Sequence, residues 1–311
     1  MSAMRVTTQT AVSNLVSNLN RSYSRIVRFQ EQLSSGSRLS TLSDDPAAVQ
    51  RSLSLRSELR NMEQFQKNID DGSGWLELSE ATLNELETLF VEARGLGVQG
   101  ASDTYDSQQR GALADQVDQF LEHALSLSES RYRGRYIFAG TQTGDPPYAA
   151  QRDANGAVQL IGNRVDANGT VGDASGSIER EVADGIIVQV NVPGRELFEG
   201  PLNAFDVLKD MRDALETNDV EAVRATLTSL SDMREKISAV RGDIGARVNR
   251  MELTRNVLDR VATEMTGILS EDEDVDLTAT IVNLQQEQDV FQAALASGNA
   301  VIPQSLMDFI R

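Results

Sequence analysis

Gly95-Leu96-Gly97-Val98-Gln99-Gly100 spells the glycine pattern with which dinucleotide-binding folds bring a helix N-terminus up to a pyrophosphate. That chemistry needs a strand before the glycines and a helix opening after them. Here a long helical periodicity precedes the run and a polar loop follows, so it reads as a flexible helix end. The acidic run Glu271 to Asp276 offers carboxylates, but it lacks the glycine and spaced oxygen ligands of a calcium loop and reads as a solvated joint. Asp153-Ala154-Asn155-Gly156 and Asp166-Ala167-Asn168-Gly169 are hairpin turns before they are ligands. His123 is the sole histidine and there is no cysteine, so a zinc site or a Ser-His-Asp relay would have to be built around that one residue. Beside Phe120 and Ala124, and flanked by Glu122, it reads as a partly exposed structural residue. Trp75 is expected to pack along a helix rather than stack on a cofactor. No poised acid–base pair is visible. We assign no catalytic, cofactor-binding or metal-binding residue, expect no cofactor, and expect no enzymatic activity.

Composition points the same way. The 311 residues leave room for two or three domains, and only 5% are aromatic, a balance that helical bundles tolerate. A net charge of −18 argues against a phosphate-binding surface, so no nucleic acid partner is expected. No apolar run approaches the ~18 residues of a membrane span. Met1 to Thr10 has no apolar core for a cleavable signal peptide, so any exit from the cytosol is expected to cleave nothing.

The elements that would position such residues are long helices. Val12, Leu15, Leu19, Ile26, Phe29 and Leu33 alternate three- and four-residue steps, broken only at Ser22. Leu277, Ile281, Leu284, Phe291, Leu295, Ile302 and Phe309 hold a similar frame, interrupted at Gln288, Gly298 and Ser305. Stripes this narrow suit a seam between helices rather than a broad globular core. Between them, Leu55, Met62, Ile69, Leu76, Leu83 and Phe90 recur every seventh residue. Val223, Leu230, Ile237, Ile244, Met251, Leu258 and Met265 do so again. Asp45-Pro46 marks an N-cap and first helical position for a helix expected to reach about Arg94. Gly72 and Gly74 fall inside it, at about 1 kcal/mol each against alanine. A third helix carries Leu113, Val117, Phe120, Ala124 and Leu127, and a shorter one spans Phe205 to Leu215. Turn signals from Asp145-Pro146-Pro147 to Asp184-Gly185 bound two strand candidates, Val158–Ile161 and Ile186–Val190.

The two halves mirror each other, which predicts a mainly α fold of long antiparallel helical rods, a terminal coiled coil and a small β-rich insertion. The expected domains are 1–43 with 271–311 as the terminal coiled coil, 44–140 with 201–270 as the rods, and 141–200 as the insertion. If Leu55 lies opposite Met265 and Phe90 opposite Leu230, Glu80 and Glu87 fall near Arg241 and Arg234.

Several segments then resemble bacterial flagellar axial proteins, the flagellin superfamily. Gln32-Leu33-Ser34-Ser35-Gly36-Ser37-Arg38-Leu39, followed by Ser43-Asp44-Asp45-Pro46-Ala47-Ala48, is similar to the loop and helix start of flagellins and hook-associated proteins. Gly245 to Met251 resembles the matching part of the returning rod. Arg135-Tyr136-Ile137-Phe138-Ala139-Gly140-Thr141-Gln142-Thr143, then Pro146-Pro147-Tyr148, resembles the outer-domain entry of the hook-associated protein 3 family. The ending Ser305 to Arg311 also fits that family better than the shorter flagellin tail. Gly95, Gly97 and Gly100 depart from its alanine-rich pattern.

The resemblance implies a structural flagellar component forming the junction layer between hook, through hook-associated protein 1, and flagellin filament. It implies a ring of copies of the chain, passage through the flagellar type III export channel, a cytosolic export chaperone, and an extracellular location. It also implies that Val12, Leu15, Leu19, Ile26 and Phe29 pair with Ile281, Leu284, Phe291, Leu295 and Ile302 in an inner coiled coil that orders on assembly. The alternatives are flagellin itself, a cytosolic coiled-coil scaffold, or an enzyme carried on the insertion.

Overall fold

The computed structural model describes residues 3–39, 45–152, 158–164 and 172–301. In chain order the helices are α1 (Ala3–Ser35), α2 (Pro46–Gly100), α3 (Ser107–Ser128), α4 (Arg195–Phe198), α5 (Ala204–Glu216), α6 (Val220–Glu273) and α7 (Leu277–Val301). The strands, all between α3 and α4, are β1 (Arg131–Tyr132), β2 (Arg135–Tyr136), β3 (Tyr148–Arg152), β4 (Val158–Asn163), β5 (Glu179–Ala183) and β6 (Ile186–Gln189). By contact the chain forms two compact units, residues 1–61 with 261–311 and residues 62–260. The fold is mainly helical, with small antiparallel sheets, as the periodicity predicts.

Short polar residues start the helices. The Asp45 carboxylate accepts from the Ala48 amide at 3.0 Å ahead of Pro46, Asp219 does the same for Ala222, and Asp276 for Ala279. Asp106 and Gln109 form a reciprocal capping box at the start of α3. The expected termination of α2 near Arg94 is corrected: the helix runs to Gly100, so the glycine run is helical throughout and opens no phosphate cradle. Its last carbonyls meet a buried cation. Arg110 donates to the Gly100 carbonyl at 2.8 Å, the Ser102 carbonyl at 2.8 Å and the Asn218 side chain at 2.6 Å.

Within residues 62–260, antiparallel helix pairing is recorded by side chains. Gln66 bonds Asp259, Asp70 pairs with Arg255, and Glu80 pairs with Arg241 at 2.7 Å. Glu87 meets Arg234 at 3.8 Å, as the proposed register requires, but is gripped more closely by Arg241 at 2.5 Å. The core gathers Ile69, Leu76, Leu83 and Phe90 with Leu230, Ile237, Ile244, Met251 and Leu258, all buried.

Among the described residues the sheets are three two-stranded antiparallel pairs, β1–β2, β3–β4 and β5–β6. The two strand candidates coincide with β4 and β6, while their partners β3 and β5 carried no strand pattern of their own. Phe138, Tyr148, Phe198 and Phe205 form one aromatic cluster with ring centroids 5.0–5.5 Å apart. Burial, with Glu199 close by, pushes the Tyr148 hydroxyl well above its ordinary pKa. Arg212 ties α5 to α3 and β4, pairing with Asp118 at 2.8 Å and with Asp213 while donating to the Val158 carbonyl.

Gly72, Gly74, Gly97 and Gly100 of α2 are contact sites. A Cβ at Gly72 would come within 2.7 Å of Val190, and one at Gly74 would collide with the Tyr132 hydroxyl. At Gly97 it would lie 2.8 Å from Leu227, and at Gly100 it would collide with Leu215, which is fully buried. Nothing lies within 4 Å of such an atom at Gly95.

Two expectations follow. Gly100→Ala should destabilise the protein by about 1–3 kcal/mol through overpacking, whereas Gly95→Ala should be neutral or stabilising by up to about 1 kcal/mol, both read by denaturation followed at Trp75. A double-mutant cycle should give Glu87–Arg241 a coupling of about 0.5–1 kcal/mol, exceeding that of Glu87–Arg234; equal or absent couplings would contradict this geometry.

Candidate assembly surface

In residues 1–61 with 261–311 the two terminal helices pack against each other. On α1 the side facing α7 is the one the sequence frame marks: Ile26 is buried, and Val12, Leu15, Leu19, Phe29 and Leu33 are half-buried. The break in the frame is itself part of the seam, since Ser22 is only 3% exposed. Its hydroxyl donates to Glu287 at 2.8 Å, and Arg25 grips the same carboxylate with two bonds of 2.8 and 3.0 Å. The Arg25 fork, then the Ser22 hydroxyl, hold the Glu287 carboxyl below its ordinary pKa.

On α7 the covered side is rotated from the expected one. Thr280, Leu284, Glu287, Phe291 and Ala294 turn inward on four- and three-residue steps. Leu284 and Phe291 belong to both frames, and Phe291 lies beside Tyr23 with ring centroids 6.3 Å apart. Ile281 and Leu295 are left 45% and 46% exposed, together with Leu277. Leu277 and Leu295 are about five helical turns apart and so lie on one line, with Ile281 beside it. The apolar band of α7 is therefore wider than the strip α1 covers. Ile302 lies outside the described residues.

Leu55, Met62 and Met265 are half-buried. Among the described residues, Ile26 and Ala48 are the only buried hydrophobic side chains of this unit. Every member of the large buried cluster belongs to residues 62–260. Sequence periodicity missed Ser22, Thr280 and Glu287 because it scores apolar residues, and this seam is partly polar.

The acidic joint is not simply solvated. Arg51 forks onto Asp272 at 2.7 and 3.1 Å, Arg56 onto Glu273 at 2.5 and 2.9 Å, and Arg38 donates to the Asp272 carbonyl at 2.7 Å. His123 bonds Glu85 at 2.9 Å on an exposed helix face, and Trp75 is buried with its ring edge against Tyr132. Among the described residues no cluster of three or more His, Cys, Asp or Glu is placed to hold a metal ion, and no helix is long and apolar enough to cross a membrane.

Residues 6–143 match the family model of the bacterial flagellin N-terminal helical region. Flagellin of Bacillus subtilis is 27% identical over 321 aligned residues, covering 99% of this chain and 100% of its own. Flagellar hook-associated protein 3 of Escherichia coli is 24% identical over 305, covering 94% and 95%. The crystal structure of the flagellar junction protein FlgL from Legionella pneumophila superposes with a TM-score of 0.55 at 14% identity, covering 73% of this chain and all of that one, which bears on the fold alone. The chain is therefore similar to flagellin-family proteins along nearly its whole length. Within that family it is similar both to flagellin and to hook-associated protein 3.

Because Glu287 titrates below the ordinary carboxylate range when paired, its contribution is present above that range and lost as pH falls through the lowered value. Helicity measured from about pH 7 to about pH 3 should fall in the parent, and Glu287→Gln should start lower at neutral pH and fall less on acidification.

Proposed function

We propose that the chain is a structural component of the bacterial flagellum, forming the junction layer between hook and filament. The observation that carries this reading is the apolar band of α7, wider than α1 covers, in a unit with almost no core of its own. Such a surface calls for neighbouring helices, and similarity to hook-associated protein 3 over nearly the whole length supplies the context. Copies of the chain in a ring would cover it. Hook-associated protein 1 below, flagellin above and a type III export chaperone before assembly are the partners this reading assigns.

In this proposal residues 1–43 with 271–311 act as the terminal coiled coil, 44–140 with 201–270 as rods, and 141–200 as an outward insertion. Val12, Leu15, Leu19, Ile26, Phe29, Leu33, Ile281, Leu284, Phe291, Leu295 and Ile302 form the assembly seam. Leu55 through Phe90 and Leu230 through Met265, at seven-residue spacing, hold the rods. The protein works outside the cell as part of the flagellum, in a structural rather than a catalytic role.

Flagellin is the second reading, favoured by the end-to-end similarity to the Bacillus subtilis protein. A deletion strain separates the two. Intact hooks without filaments, with flagellin released into the medium, support the junction layer; a purified chain that extends filament seeds without limit supports flagellin. Replacing Ile281→Asp with Leu295→Asp should leave the denaturation midpoint reported by Trp75 within about 0.5 kcal/mol of the parent, as for exposed sites, yet abolish filament attachment. Normal attachment would overturn the proposed role of that face.

A further inference from the structure

We propose that the joint in residues 1–61 with 261–311 is an ionic clasp, in which Arg38, Arg51 and Arg56 lock the end of α6 and so fix where α1 and α7 depart. The inference holds whether the chain caps a hook or builds a filament.

The backbone lays two segments side by side. Ser37 and Asp274 form an antiparallel bridge, the Arg38 amide donates to the Glu273 carbonyl at 2.6 Å, and the Val275 amide donates to the Gly36 carbonyl at 3.0 Å. Gly36 takes the left-handed conformation that lets α1 end there, with φ of +71°. Onto this bridge close the two bidentate forks, Arg51 on Asp272 and Arg56 on Glu273.

Exposure shows which partner is held. The arginine side chains are 57% and 56% exposed, while their carboxylates are only 15% and 17% exposed. The arginines reach across from solvent and cover acids that would otherwise sit together in the run Glu271-Asp272-Glu273-Asp274. An isolated surface pair contributes little, but adjacent bidentate forks on a hydrogen-bonded bridge act as a network. Removing the arginine heads opens no apolar core, so the clasp can be tested without unfolding the chain.

Charge sets the conditions for opening. Hydrogen bonding and attraction from Arg51, with Arg38 adding to them, hold the Asp272 carboxyl below its ordinary range. Arg51 from α2 and Arg38 from the segment before it face Asp272 directly, Arg56 holds the adjacent Glu273, and Asp45 lies 3.9 Å from Arg38; Glu271, Glu273, Asp274 and Asp276 are its charged neighbours along the chain. The clasp is therefore complete above the carboxylate range and lost as pH falls through the lowered value. Salt near 1 M, where screening acts over about 3 Å, should loosen its exposed forks.

The chain has no cysteine, so Ser54→Cys with Thr278→Cys gives a clean pair of spin-label sites on α2 and α7 of the full-length protein. At neutral pH the distance distribution should be single and narrow. Arg51→Glu with Arg56→Glu should broaden and lengthen it, as should acidification, with Trp75 emission unchanged. Adding Asp272→Arg and Glu273→Arg should restore the narrow distribution. A distribution indifferent to the first reversal, one not restored by the second, or one that changes only together with Trp75 emission would overturn the clasp.

Discussion

The width of the apolar band on α7 sets the terms for the rest of the molecule. One antiparallel partner covers a strip about two heptad positions wide, and α1 spends part of that strip on Ser22, Thr280 and the Arg25–Glu287 fork. Leu277, Ile281 and Leu295 stay half in water. A two-helix seam of this composition is marginal in isolation. Under the proposed assembly role its helices would gain order when further apolar surface arrives, and ordering and association would be one event.

Residues 62–260 follow the opposite logic. Glycines at positions 72, 74, 97 and 100 let neighbours press directly onto helix backbone, and a continuous buried cluster runs from Ile69 to Leu258. Its buried charges are answered internally. Arg110 finishes α2 by bonding carbonyls, and Arg212 ties α5 to α3 and β4. This part buries a core made entirely of its own residues. The contrast gives the chain one part with a buried core of its own and one pair of terminal helices with apolar surface left uncovered.

The sequence carried the long helices plainly, because seven-residue ladders from Leu55 to Phe90 and from Val223 to Met265 leave little freedom of phase. The Asp45-Pro46 start was equally legible from its capping chemistry, and the Glu80–Arg241 pair from antiparallel register. The strands β3 and β5 were not. Tyr148-Ala149-Ala150-Gln151-Arg152 and Glu179-Arg180-Glu181-Val182-Ala183 have no alternation and become strands only through partners. The glycine run looked like a helix end because propensity cannot register Leu215 and Leu227 packed against it. On α7 apolar spacing located the band, while the side that faces α1 was chosen by Thr280 and Glu287, residues that an apolar periodicity ignores.

The account stands on the terminal helices lacking a complete partner in the free chain. Amide hydrogen exchange, followed residue by residue on dilute monomer and on assembled protein, tests this most directly. Fast exchange through α1 and α7 in the monomer, slow exchange through residues 62–260, and strong protection of both terminal helices after assembly are the predicted pattern. Terminal helices as protected in the dilute monomer as the Leu76 and Ile237 region would contradict it.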